Sequence, residues 1–522
     1  MAAAPHPIGD VVVVGAGVSG IAAGKAFQQH GCRSLTIFEK TSSMGGHWSW
    51  PDNYPGVGVQ NHAEAYRFTD KPMACAGRKA TAAEVQRYVA EYAREHGLLA
   101  RIRFGTEVVE VIEEGLAGGR RVVVVRDVAT GASSVHPADV VVFAAGFVPS
   151  LPECVTAEGA AFRGRVVHSS AFSAAIAREA VTRRQQVVVV GGRKSSSELI
   201  AGLRELGHTA GLVTCVHANR DTVAPGFEPQ LWPTAAQLPF LMLEAAAGWL
   251  TRTSPVLQAA ARLLRWPLHL AGLILPAPIG GGQPMDVGTL RLLAGVRVVR
   301  GHVVGLTPTG ARCSDGQELD ADLIVCATGF RIYVPPVSIV AEPDTRSDAA
   351  EAVAVGSAGT RPAPRRRLRR CNVKEEQPLL YRSMVFPQSP QLCAILFNSM
   401  GINSMLSAEV MAAWLANFYS SGLAERSSPA ALAEQVAADV AGLRERGGDG
   451  SFSTWQFDRG ANLKGGKFDK GADFAADFYE EQIYADLDIV VPSRFFALTR
   501  AQHDEKVYRR IGRRLTAIAE QQ

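Results

Sequence analysis

Two glycine-rich turns hold most of the chemistry that the residue types of this chain can support. The first is GAGVSG at 15–20, directly after the apolar run Val11 to Val14. In such a turn Gly15 permits the tight bend, Gly17 lets the backbone approach a pyrophosphate, and Gly20 lets helix and strand pack closely. The phosphates then lie at the positive end of the following helix, where unpaired N–H groups point at them. Glu39 closes the next apolar run, Leu35 to Phe38, at the place where a carboxylate accepts ribose hydroxyls. An acid there disfavours a 2′-phosphate by charge repulsion, and a site so near the start of the chain favours FAD.

The second turn, GGRKSSSE at 191–198, follows VVVV at 187–190. Gly191 fits the bend, but Arg193 stands where the second motif glycine belongs. A side chain there obstructs backbone approach to a pyrophosphate. Two outcomes follow. Either Arg193 or Lys194 reaches round to pair with phosphate, or use of the second dinucleotide is impaired. No acid follows the next strand, near 211–216; His217 and Arg220 do. Arg220 is the expected partner of a 2′-phosphate, so NADPH is preferred over NADH.

The elements that position these turns are legible from periodicity. Short β-branched runs, each followed by glycine and then by a helix-like stretch (to about Gln29 and about Leu206), read as strand–turn–helix units. The expected fold class is therefore α/β, with two Rossmann-like dinucleotide-binding domains. Runs at 106–112 and 121–126 read as an antiparallel pair; a third, 139–145, ends in FAAGF. Helices are expected at 408–420 and from Ser428, an N-cap before Pro429, with Leu432, Val436, Val440 and Leu443 on one face. Residues 341–376, with Arg365, Arg366, Arg367, Arg369 and Arg370, read as a disordered surface insertion. The apolar stretch 231–285 reads either as a lid or buried insertion, or as a peripheral membrane contact through a helix at 256–266 with Arg262 and Arg265 on its polar side.

Composition excludes several classes. Lys plus Arg number 54 and Asp plus Glu 50, and a net charge of +4 is too small to argue for a nucleic-acid partner. The eight cysteines are scattered without ligand-like spacing, so neither a zinc site nor a disulfide framework is indicated and a reducing, cytoplasmic setting is expected. The prolines at 267, 276, 278 and 284 make 266–285 a poor spanning helix.

Further motifs occur in a fixed order: GGHW at 45–48, YPGVGVQNHAEAYRFTD at 54–70, FRGRVVHSSAF at 162–172 and CATGF at 326–330. With the two glycine turns they cover about residues 11–420, and the chain resembles the flavin-containing monooxygenases, of the class B flavoprotein monooxygenase family. The resemblance implies that NADPH reduces FAD, that O2 adds to the flavin as a C4a-hydroperoxide, and that its distal oxygen passes to nitrogen or sulfur of a small molecule, a tertiary amine of the dimethylaniline kind being one example. The protein's part is to position NADP and exclude water.

Residue by residue, the resemblance puts Asn61 beside the flavin as the candidate catalytic side chain, Gly45 and Gly46 along the flavin side, and Trp48 over a ring face. Ser195 and Glu198 fit the family's second turn. Thr328 and Gly329 fall in the stretch that runs under the NADP domain back to FAD. His168 and Phe172 lie at a domain junction, and Phe172–Ser173 in place of the Trp of usual Baeyer–Villiger enzymes favours the N/S-oxygenating branch. Baeyer–Villiger or keto-acid oxygenation, amino-acid N-hydroxylation and a non-catalytic flavoprotein with impaired NADPH use remain the alternatives. The expected domains are 1–165 (FAD, first part), 166–324 (NADP, with the apolar insertion near 231–285) and 325–522 (FAD completion and C-terminal helices).

Overall fold

The computed structural model describes residues 6–49, 56–63, 66–75, 78–114, 121–149, 151–156, 162–217, 222–225, 275–276, 284–285, 287–332, 337–340, 366–367, 380–395, 404–445, 482–489 and 505–521. The first part of the chain runs β1 (Asp10–Val14), α1 (Val18–Gln29), β2 (Ser34–Phe38), β3 (Gly58–His62), β4 (Lys79–Thr81), α2 (Ala82–Glu95) and β5 (Ile102–Arg103). There follow β6 (Thr106–Glu114), β7 (Arg121–Asp127), β8 (Ser133–Ala138), β9 (Val140–Phe143) and β10 (Phe147–Pro149). Next come α3 (Glu153–Thr156), β11 (Arg165–His168), α4 (Ala174–Thr182), β12 (Val187–Val190), α5 (Lys194–Glu205) and β13 (Val213–His217).

Runs of valine without polar alternation suit strands covered on both faces, and such strands build parallel sheets. The first parallel sheet is ordered Leu392–Ala394, β9, β1, β2, β5. Its third strand, β1, is buried from Val11 to Val14. The second is ordered β11, Leu323–Cys326, β12, β13, Arg297–Arg300, also parallel throughout. In each sheet the strand before the glycine turn has the next strand on one side and a later strand on the other. The crevice at that reversal, outside the carboxyl ends, is where open α/β sheets take ligands.

The runs at 106–112 and 121–126 form the expected antiparallel pair within β6 and β7, with Val111 opposite Val123. The run at 139–145 instead joins the first parallel sheet as β9. Strands β10 and Phe330–Ile332 pair antiparallel where the chain passes between the two sheets. Helix α1 packs on the helix Ser404–Ser420, which is buried over most of its surface. Ser428 caps the helix Pro429–Glu445 by accepting from the Ala431 N–H at 3.1 Å, and Leu432 and Val436 are buried beneath it. Of the stretch 341–376 only Arg366–Arg367 is described, paired with Val337–Val340; of 231–285 only two short strands are, and 256–266 lies outside the described residues. No helix among the described residues is long and apolar enough to cross a membrane.

Candidate functional site

The first turn is held by contacts that only glycine permits. Gly15 has φ +103°, and a Cβ on Gly20 would fall 1.8 Å from the Gly15 carbonyl oxygen. Gly17 has an extended backbone open to any residue, and a Cβ there would make only ordinary contact, 3.6 Å, with the Gly46 Cα, so neither backbone nor neighbours of this turn demand glycine at 17. Gly45 and Gly46 both have positive φ, and the Gly45 N–H donates to the Ala16 carbonyl at 3.0 Å. The two glycine loops therefore stack backbone on backbone. Glu39, 6% exposed, secures the same turn: its carboxylate accepts from the Ala16 N–H at 2.8 Å, the Thr41 N–H at 2.9 Å and the Thr41 hydroxyl at 2.8 Å.

Trp48 packs against both the first-sheet core and the second-sheet core. Its indole N–H donates to the Tyr66 hydroxyl at 3.2 Å, and the two rings meet edge to face at 5.7 Å. His47 meets Trp48 and Phe330 edge-on. Asn61 lies on β3; its side chain is outside the described residues.

At the second turn Gly191 has φ +120°, and a Cβ would lie 2.3 Å from the Ala327 carbonyl oxygen. Arg193 is the N-cap of α5, with an extended backbone that any residue adopts, so its glycine-to-arginine change costs no backbone strain. Its guanidinium is half-buried, and desolvation holds its pKa below the usual range. Lys194 turns away from the helix axis to pair with Glu198 at 2.7 Å and to donate to the Gly58 carbonyl at 2.9 Å. Ser195 is half-buried in the first turn of α5, and the third glycine's place is held by Ser196, fully buried.

The stretch after Leu323–Cys326 brings Thr328 and Gly329 beside β11. His168 Nδ1 accepts from the Ser170 N–H at 3.1 Å, so the proton sits on Nε2 and is donated to the Gly329 carbonyl at 2.9 Å. Burial pushes this imidazole's pKa down, partly opposed by the Gly329 bond.

Helix N-termini distinguish these turns from α2 and α4. Helix α2 begins with a full capping box between Thr81 and Glu84, and α4 with Ser173 accepting from the Ile176 N–H. Helices α1 and α5 carry no side-chain cap among the described residues and no acid in the first turn. Their leading N–H groups are what an anion would satisfy.

Arg220 lies outside the described residues. The structure brings another arginine to the edge of the second sheet. Arg300 ends the strand beside β13, and its guanidinium donates to His217 Nδ1 at 3.1 Å. His217 is 4% exposed, and its ring fills the space that a Cβ on Gly192 would need. The sequence signal was available: the β-branched run at 297–300 ends in arginine. Only the pairing of that strand with β13 gives the signal meaning.

Two parallel sheets, each with a glycine turn opening an uncapped helix, define a protein with two dinucleotide-type units. Residues 12–237 match the pyridine nucleotide-disulphide oxidoreductase family. An FAD-dependent monooxygenase of Pyrenophora dematioidea is 37% identical over 116 residues, 21% of this chain and 21% of that protein. An uncharacterised monooxygenase of Sinorhizobium fredii is 26% identical over 380 residues, 63% of this chain and 54% of that one. The chain thus spans between about a fifth and a half of the length of these curated relatives. Cyclohexanone monooxygenase from Rhodococcus, solved with NADP+, superposes with a TM-score of 0.59 at 18% identity, covering 92% of this chain and 98% of that one. At that identity the likeness speaks for the fold. The match at 12–237 covers less than half of the chain and the curated relatives named as FAD-dependent monooxygenases align over parts of it, so the chain is similar to the flavoprotein monooxygenases and shares their fold of two dinucleotide-binding units.

Proposed function

We propose that this chain binds FAD at the first glycine turn and NADPH at the second, and uses O2 to oxygenate a soft nitrogen or sulfur atom of a small molecule. The carrying observation is that α1 and α5, the helices opened by the two glycine turns, begin without side-chain caps while α2 and α4 are capped. The residues present fit both groups. Around FAD, the α1 N–H groups face the pyrophosphate, Glu39 faces the ribose, and Gly45, Gly46 and Trp48 line the flavin, with Asn61 beside it. Around NADPH, Gly191, Arg193 and Ser195 face the pyrophosphate, and Arg300, steadied by His217, joins Arg220 at the 2′-phosphate. Bound flavin supplies the redox chemistry, taking two electrons from NADPH and activating O2.

The protein's own part is orientation and exclusion of water. Trp48 and Tyr66 close the first loop against the second core, and the neutral His168 fixes the Gly329 carbonyl at the crossing between units. We assign residues 1–165 and 325–522 to the FAD unit and 166–324 to the NADP unit, with β10 and Phe330–Ile332 as the paired crossing. Phe172 and Ser173 support nitrogen or sulfur as the target over a ketone. The purified protein is expected to be yellow, to bleach with NADPH without oxygen, and to convert thioethers or tertiary amines such as dimethylaniline in air. Lactone or ester from a ketone as the main product would move it to the Baeyer–Villiger branch. A protein that takes up no flavin would defeat the proposal.

A further inference from the structure

We infer that Lys194 is a positioning residue that ties the second unit to β3, the strand carrying Asn61, instead of a ligand to the dinucleotide phosphate. This rests on the flavin reading above for its functional consequence. The geometry itself stands on three observations. The Lys194 ammonium donates to the Gly58 carbonyl at 2.9 Å, across 136 residues of sequence, and Glu198 one turn along α5 holds it in place at 2.7 Å. The neighbouring backbone passes close to α5: a Cβ added at Gly56 would reach van der Waals contact with the Glu198 carbonyl oxygen at 3.7 Å, and Val57 belongs to the second-sheet core. On its other edge β3 is clamped by β4, with Gly58 opposite Thr81 and a Cβ on Gly58 reaching 3.0 Å from the Ala80 carbonyl oxygen.

Strand β3 is therefore gripped from two sides at Gly58, three residues before Asn61. One grip is a charge-assisted hydrogen bond, stronger than a neutral one. A lysine at the positive end of α5 is disfavoured by the helix dipole; Glu198 offsets that, and Glu198 and Gly58 together engage two of the ammonium's three N–H donors. Loss of this grip loosens β3 beside the flavin and admits water, so that the hydride of NADPH and one solvent proton convert O2 to H2O2, releasing NADP+ without oxygenated product.

Lys194→Met in the full-length holoenzyme tests this, with Lys194→Arg as the rescue. For Lys194→Met we expect NADP+ affinity within about threefold of wild type, peroxide released per NADPH oxidised up several-fold, and amide hydrogen exchange at 58–62 faster by about tenfold, the worth of one charge-assisted bond. Lys194→Arg should restore most of the exchange protection and the coupling. A loss of NADP+ affinity of tenfold or more with unchanged exchange at 58–62 would make Lys194 a phosphate ligand and overturn the inference. Unchanged exchange and unchanged peroxide yield would overturn it as well. The exchange measurement needs no flavin, so a wild-type chain that fails to bind FAD sinks the functional reading while leaving the tie to be judged by itself.

Discussion

Replacing Glu39 by glutamine tests whether the first turn is built as a dinucleotide site. The carboxylate accepts three hydrogen bonds with two oxygens: Oε2 takes the Ala16 N–H, and Oε1 takes both the N–H and the hydroxyl of Thr41. Glutamine offers one acceptor oxygen and an NH2 group that cannot accept. Whichever way the amide is turned, one backbone N–H, the buried one of Ala16 or the half-buried one of Thr41, meets a donor. A charge-assisted bond lost to a buried group costs about 1.5–3 kcal/mol. If the Ala16 turn cradles the pyrophosphate, about the same free energy is taken from FAD binding, roughly ten- to a hundredfold in affinity. The assay is reconstitution of flavin-stripped protein, followed by flavin fluorescence, beside urea unfolding of the stripped form. We expect Glu39→Gln to weaken both. Wild-type flavin affinity together with wild-type stability would refute the reasoning, and lost stability with intact flavin affinity would separate the turn from the ligand.

Other expectations follow from single contacts. Arg300→Ala should lower kcat/KM for NADPH about tenfold or more with little effect for NADH, since only the 2′-phosphate needs the guanidinium; an equal effect on both would remove Arg300 from that role. Lys25 joins Asp70 at 2.7 Å, Glu409 at 3.0 Å and the Tyr92 hydroxyl at 2.6 Å, with 10% of its side chain and 6% of that of Glu409 exposed. Lys25→Met should cost about 3 kcal/mol in denaturant unfolding by stranding Glu409, and Lys25→Met with Glu409→Leu should recover part of it. His30, His168 and His208 are buried, and desolvation holds each below the ordinary imidazole pKa of 6.5. Below that pH the unfolded chain binds more protons than the folded one, so stability is full above it and falls as the pH drops, by up to about 1.4 kcal/mol per unit for each imidazole. Urea midpoints that stay level from pH 7.5 to 5.5 would contradict this.

The two glycine turns were legible because their requirements are local. Gly15 and Gly191 answer to a positive φ and Gly20 to the Gly15 carbonyl, and the valine runs before them answer to burial on both faces. The helix from Ser428 was legible for the same reason, its cap being three residues from the N–H it satisfies. The third run, ending in FAAGF, was a strand as read, but its place in the parallel sheet depends on β1, more than a hundred residues earlier. Glu39 was found at the end of β2; its service to Ala16 and Thr41 was not, because that bond needs the turn in place.

Residue order and spacing alone give two strand–turn–helix units, each opened by a glycine turn, because the bend and the burial of the valine runs are set within a few residues. The tertiary structure decided which charges do what. Arg193 and Lys194 read alike from sequence as candidates to pair with phosphate; in the fold Lys194 donates to the Gly58 carbonyl, 136 residues away in sequence. Arg300, which no sequence motif singled out, is found against His217. A long, flexible cation takes whichever acceptor the packed fold brings within about 3 Å, and sequence spacing carries no information about an acceptor 83 or 136 residues away.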